Sequence, residues 1–226
     1  MRVLTVSATY GAGGSVIAPR LAERLGLPFA DRFITAQDAP ALGGGLDEFG
    51  RLTEGEGSAE EEPRKSFLAR LAHLNAGLNL PLPRDPADLR DHIRNRVEHS
   101  ITELLESGGA GDPGGSVILG RAAAIVLAKH PSAYHVRLDG PVERRARRGA
   151  AIEGIDVAAA RARLEQTDSA RQRSATRLYQ RDLDDVGLYH LVLDSTVLDV
   201  DDCVALVAQA ANTFWSGWSS GSGGCP

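Results

Sequence analysis

The stretch Val3-Leu4-Thr5-Val6-Ser7-Ala8-Thr9-Tyr10-Gly11-Ala12-Gly13-Gly14-Ser15 constrains the fold more than any other part of the chain. It reads as a short apolar strand, a glycine-dense turn and the start of an amphipathic helix with Ile17, Leu21 and Leu25 on one face. That order of parts is what a phosphate cradle needs. Glycines let the backbone curl so that successive N–H groups point inward, and the helix N-terminus adds partial positive charge. Against the pattern G-x-x-x-x-G-K-[ST], positions 8–15 supply the sixth-place glycine, Gly13, and the eighth-place hydroxyl, Ser15. Ala8 takes the place of the first glycine and Gly14 that of the lysine. The segment is a phosphate-binding loop without its charged residue. An ordinary strand-to-helix turn also favours glycine, but Gly11, Gly13 and Gly14 together exceed what such a turn requires. Pro19 fits only if the helix starts near Ser15 or kinks there.

Further apolar runs at Pro28–Ala30, Ser116–Leu119, Tyr134–Leu138 and His190–Leu193 read as strands separated by helical periodicity. The expected fold class is therefore α/β, a parallel central sheet covered by helices. Ile93, Val97, Ile101 and Leu105 recur every four residues and mark a helix before the Ser116 strand. Asp156 is placed to N-cap a long helix from Val157 to about Tyr179, and Val200–Phe214 reads as a closing helix. Between Gln37 and Lys65 glycines alternate with acidic residues up to Glu60-Glu61-Glu62, the pattern of a solvated loop, with a flap over a substrate as the sharper reading. Pro81, Pro83 and Pro86 form a stiff connector behind it. The organisation expected is one domain over 1–215, with an insertion and connector at 36–88, and a disordered Ser/Gly tail at 216–226.

With 226 residues, 42% of them hydrophobic, the chain can build one compact core. A net charge of −5 removes the basic footprint expected of a nucleic-acid binder. Cys203 and Cys225 are too few for a disulfide framework and point to a reducing cytoplasm. No apolar stretch is long enough to span a membrane, and the N-terminal run is too short for a secretory signal.

Cations repeat one placement. Arg121 follows the Ser116–Leu119 strand at its carboxyl end, where α/β sheets bind ligands. Arg144, Arg145, Arg147 and Arg148 follow the next strand, and Arg145 and Arg148 share a helix face. Asp168 and Arg171 stand three apart on the long helix. Singly, each arginine has a duller explanation as a solvated helix residue or a weak surface ion pair. Beside the glycine loop they suit phosphoryl transfer, which needs in-line substrates, excluded water and positive charge on the moving group. The sequence shows neither a Cys/His metal cluster nor a nucleophile–base pair.

Six segments in order resemble the cytidylate kinase-like family. They are Ser7-Ala8-Thr9-Tyr10-Gly11-Ala12-Gly13-Gly14, Pro28-Phe29-Ala30-Asp31-Arg32 and Val117-Ile118-Leu119-Gly120-Arg121-Ala122-Ala123, then Glu143-Arg144-Arg145-Ala146-Arg147-Arg148, Thr167-Asp168-Ser169-Ala170-Arg171 and Leu193-Asp194-Ser195-Thr196. The resemblance implies a three-layer α/β/α P-loop kinase fold with an acceptor-side insert and a helical lid. It implies that Gly11, Ala12, Gly13, Gly14 and Ser15 wrap the phosphates of ATP, with Ser15 the ligand nearest Mg²⁺. Asp31, Arg32 and Arg121 would face an acceptor nucleotide, Asp168 its ribose. Arg145, Arg148 and Arg171 would be the catalytic cations over the transferring phosphoryl.

The chain departs from that pattern. Typical cytidylate kinases carry a lysine where Gly14 stands; the branch resembled here often has glycine there, with an arginine at the position of Ala8. Leu119 and Ala122 also replace acidic neighbours of the Gly120-Arg121 pair. The expected activity is ATP-dependent transfer to a nucleoside monophosphate of the CMP or dCMP type. A kinase of another small metabolite and a nucleotide-binding module without turnover remain the alternatives.

Overall fold

The computed structural model describes residues 1–31, 86–106, 114–120 and 122–219. The acidic insertion at 37–65, Pro81, Pro83, Arg32 and Arg121 lie outside them. The chain divides into two compact units, Met1–Asp31 with Arg96–Pro226, and Arg32–Asn95. Of the second unit only the first residues of one helix are described. All the described strands belong to the first.

The elements of the first unit are β1 (Arg2–Ala8), α1 (Gly14–Leu25), β2 (Phe29–Ala30), α2 (Pro86–Glu106, shared with the second unit), β3 (Gly115–Leu119), α3 (Ala123–Val126), β4 (Ala133–Asp139), α4 (Val142–Glu153), α5 (Val157–Tyr179), β5 (Leu191–Asp194) and α6 (Val200–Ser219). The strands form one sheet in the order β2-β3-β1-β4-β5. Every pairing is parallel, with Val6 opposite Leu119, Ala8 opposite Leu138 and Asp139 opposite Asp194. The α/β parallel architecture read from the sequence is the one observed.

Strand alternation sorts the sheet into two buried faces. Leu4, Val6, Val117, Leu119, Val136 and Leu138 pack with Ile17, Leu21 and Leu25 of α1 and Cys203, Val207 and Ala211 of α6. Val3 and Ile118 are buried among the intervening residues, together with the polar Thr5, Ser116, His135 and Arg137. The α1 helix starts at Gly14 and carries Pro19 inside it. It ends at Gly26, whose left-handed backbone turns its N–H back to the Ala22 and Glu23 carbonyls. Asp156 caps α5 as expected, its carboxylate accepting from the Ala159 N–H at 2.9 Å.

The closing helix corrects one expectation. It continues past Phe214 to Ser219, so residues 216–219 are helical and not a tail. Trp215 explains the extension: it is buried, and its indole N–H donates to the Ser132 carbonyl at 2.9 Å. Residues 220–226 lie outside the described chain. Among the described residues no helix is long and apolar enough to cross a membrane.

The topology fixes where a ligand can lie. From β1 the chain leaves toward β2 on one side of the sheet, and from β4 toward β5 on the other. Loops leaving the carboxyl ends of β1 and β4 therefore part company at one rim, the crevice where open α/β sheets bind ligands.

Candidate functional site

The loop between β1 and α1 is built by its neighbours as much as by its glycines. Thr9 extends the ladder, its N–H donating to the Leu138 carbonyl at 3.2 Å and its hydroxyl to Asp139 Oδ1 at 2.8 Å. The Tyr10 N–H donates to Asp168 Oδ1 at 2.9 Å. The Ala12 N–H returns to the Thr9 carbonyl, and Ser195, fully buried, donates its hydroxyl to the Ala12 carbonyl at 2.7 Å. Gly11 is required twice over: its φ is 76°, and a Cβ there would lie 2.1 Å from the Arg145 carbonyl oxygen. Gly13, at φ 79°, is the N-cap of α1. Among the described residues, the N–H groups of Gly11, Gly13, Gly14 and Ser15 meet no acceptor. Four backbone donors at a helix start form the cradle expected for an anion.

The three arginines given catalytic roles differ sharply in setting. Arg145 is buried, and its guanidinium donates to Gly140 O at 2.8 Å, Tyr10 O at 3.1 Å and Asp168 Oδ2 at 2.6 Å. Asp139 Oδ1 lies 3.5 Å from its Nε. Arg148 is half-buried, donates to the Ser195 carbonyl, and runs across the loop so closely that a Gly13 Cβ would lie 2.8 Å from its Nη2. Arg171 donates to the Ala8 carbonyl at 2.9 Å and stands 3.7 Å from Asp168 Oδ1. Asp168 is thus tied to both the loop and Arg145.

Beside Arg148 opens a cleft of about 490 Å³ lined by Arg144, Arg147, Arg148, Thr196, Leu198, Asp199 and Val200. Two of these, Thr196 and Arg144, are held by Asp194, which accepts from the Thr196 hydroxyl at 2.5 Å and from Arg144. The Thr196 hydroxyl, the Thr196 N–H and Arg144 hold the Asp194 carboxyl below its ordinary value.

The structure therefore brings Gly11, Ala12, Gly13, Gly14, Ser15, Arg145, Arg148, Asp168 and Arg171 to one rim. Asp31 is exposed just past β2, at the sheet edge, with β3 standing between β2 and β1. Arg32 and Arg121 lie outside the described residues. Ser15 is exposed in the first turn of α1. Leu119, which stands in place of an acidic residue, is buried and belongs to the core beneath α1. Sequence reasoning gave no role to Asp139 or Ser195. The signal available was position: Asp139 ends β4 and Ser195 follows β5, two paired strands whose carboxyl ends share the rim, and Ser195 lies in one of the segments that carry the resemblance.

Among the described residues no group of three His, Cys, Asp or Glu could hold a metal ion.

A parallel sheet covered by helices, whose first strand opens through a glycine loop into a helix, defines an α/β protein. The chain belongs to the cytidylate kinase-like family, which matches residues 3–197. It is 28% identical over 219 residues to a cytidylate kinase from Methanopyrus kandleri, covering 92% of each chain. It is 26% identical over 207 residues to a cytidylate kinase from Aeropyrum pernix, covering 91% of this chain and 96% of that one. The fold is shared with a solved structure of an uncharacterized protein from Eubacterium ventriosum, with TM-score 0.59 and 16% identity over 94% of this chain and 99% of that one.

Proposed function

We propose that this protein is a nucleotide kinase, transferring the γ-phosphoryl group of Mg·ATP to the phosphate of a CMP- or dCMP-like nucleoside monophosphate. The observation that carries the reading is the open set of N–H groups at Gly11, Gly13, Gly14 and Ser15 with Arg148 lying across it. Family membership and the similarity to cytidylate kinases support the acceptor class. In the reaction an acceptor phosphate oxygen bonds the γ phosphorus as its bond to the β–γ bridging oxygen breaks, giving ADP and a nucleoside diphosphate. The loop amides hold the donor phosphates, and the cleft beside Arg148 takes the rest of the donor. The Ser15 hydroxyl, in the first turn of α1, is the protein oxygen placed to meet the Mg²⁺ that arrives with ATP. The buried thiol of Cys203 suits a reducing cytoplasm.

The three arginines divide the work. Arg148 and Arg171 lie at the mouth of the loop and face the phosphates. Arg145, committed to Gly140, Tyr10 and Asp168, positions the loop from behind. That commitment also motivates a second reading, a nucleotide-binding protein without turnover. Steady-state ADP release with CMP, dCMP, UMP and AMP, beside ATP titration calorimetry, separates the two. In a working kinase Arg148→Ala should lower kcat by about 100-fold while weakening ATP binding far less, the mark of an interaction made mainly in the transition state. ATP binding without transfer to any acceptor favours the binding module, and unchanged turnover in Arg148→Ala removes Arg148 from the chemistry.

A further inference from the structure

Gly14 is unlike the other loop glycines. It is the first residue of α1, and its φ lies outside the left-handed region that Gly11 and Gly13 occupy. Its backbone would accept any residue, and a side chain there would ordinarily help a helix. Space forbids one. A Cβ on Gly14 would lie 2.5 Å from the Ala8 Cβ and 3.3 Å from Leu119 Cδ1. The Leu119 methyl can turn aside, but Ala8 ends β1 and its Cβ is fixed by the backbone. The same Ala8 holds the guanidinium of Arg171, which donates to its carbonyl at 2.9 Å.

We infer that residues 8 and 14 are one steric position with room for a single side chain, and that Ala8, by filling it, leaves the loop to be served by cations from outside it, Arg171 of α5 beside Arg148. The absent loop cation and the alanine that replaces the first loop glycine are then one change and not two. A lysine introduced at 14 alone meets Ala8. A lysine at 14 opposite glycine at 8 has the space to enter the first turn of α1. The steric half stands on the distances at Gly14 alone; the Arg171 half rests on the proposed phosphate site.

The test is a set of variants at 8 and 14, read first by thermal unfolding without ligand. Gly14→Ala adds only the Cβ in question. It should lower Tm in the Ala8 protein and raise it in Ala8→Gly, a reversal of sign that helix propensity alone cannot give. Equal shifts in the two backgrounds would overturn the shared position. Gly14→Lys should follow the same pattern with a larger loss opposite Ala8.

The second arm measures binding of tripolyphosphate, which needs no base or ribose contact, and of Mg·ADP. Arg171→Ala should weaken both by tenfold or more in the natural chain. In the Ala8→Gly/Gly14→Lys protein the same substitution should cost less than threefold. An equal loss in both backgrounds, or no tripolyphosphate binding in the natural chain, overturns the Arg171 half. Tripolyphosphate binding without Mg·ADP binding leaves it standing and instead counts against the nucleotide reading.

Discussion

Asp168 ties the glycine loop to two of the arginines. One oxygen accepts the Tyr10 N–H at 2.9 Å and the other the Arg145 guanidinium at 2.6 Å, with Arg171 3.7 Å away. A carboxylate has lone pairs to spare beyond these contacts, so a ribose hydroxyl could still be received. Its commitments nonetheless make it a positioning group in the free protein. Removing it would leave the buried Arg145, among the described residues, with only Asp139, at 3.5 Å, as an ion-pair partner. Asp168→Ala should therefore cost about 3 kcal/mol of stability, measured by urea unfolding without ligand. Asp168→Asn should cost less, because the amide oxygen still accepts from Tyr10. A residue that served only to touch substrate would leave the urea midpoint unmoved in both variants.

Among the elements, the last turns of α6 and the loop sit at opposite ends of the strands. Trp215 of α6 donates to Ser132, just before β4, and its ring lies 5.7 Å from the guanidinium of Arg2 at the start of β1. The glycine loop follows the other end of β1. Trp215→Ala should therefore cost about 3–5 kcal/mol in urea unfolding while ATP affinity of the folded fraction stays within twofold. Strands and helices of this kind were legible in the sequence because each carries its own period. Val3–Ser7, Ser116–Leu119 and Tyr134–Leu138 are continuous runs because both faces of the sheet are covered. The end of α6 was misjudged because Ser216 and Gly217 have turn-like composition, whereas the anchor at Trp215 is a tertiary contact. The site divides the same way. The glycine loop is contiguous and could be read, but Thr9 meets Asp139 across 130 residues and Ser195 meets Ala12 across 183. No local pattern records such pairs. Nor could sequence show that Arg145 lies behind the loop while Arg148 lies across it, since both belong to one helix face.

Across the whole molecule the two faces of the sheet behave differently. The face under α1 and α6 is apolar, whereas the other buries Thr5, Ser116, His135 and Arg137. Polar contacts run from that face to the rim: Arg137 donates to Asp139 Oδ2 at 3.2 Å, and Asp139 Oδ1 accepts from Thr9 at 2.8 Å. Deeper in, His135 Nδ1 is 2.7 Å from the Thr5 hydroxyl, and its ring stacks on His190 with centroids 5.0 Å apart. The His135 N–H donates to His190 Nδ1. Burial, with the His190 charge second, lowers the His135 pKa from 6.5 to about 4. The unfolded chain therefore takes up this proton first as pH falls. Stability rises with pH across that window: the His135 contribution is complete above about pH 6.5 and lost on approaching pH 4. Between pH 7 and pH 5 the loss amounts to about 2 kcal/mol. Carboxylates titrate in the same range, so the variant and not the natural chain alone decides the matter. His135→Gln keeps a hydrogen-bonding group beside Thr5 but cannot take up the proton. Urea unfolding at pH 7 and pH 5 should show the natural chain losing about 2 kcal/mol more than His135→Gln. Equal losses would mean that His135 takes up its proton alike in the folded and the unfolded chain, and that the acid sensitivity of the fold resides in other groups.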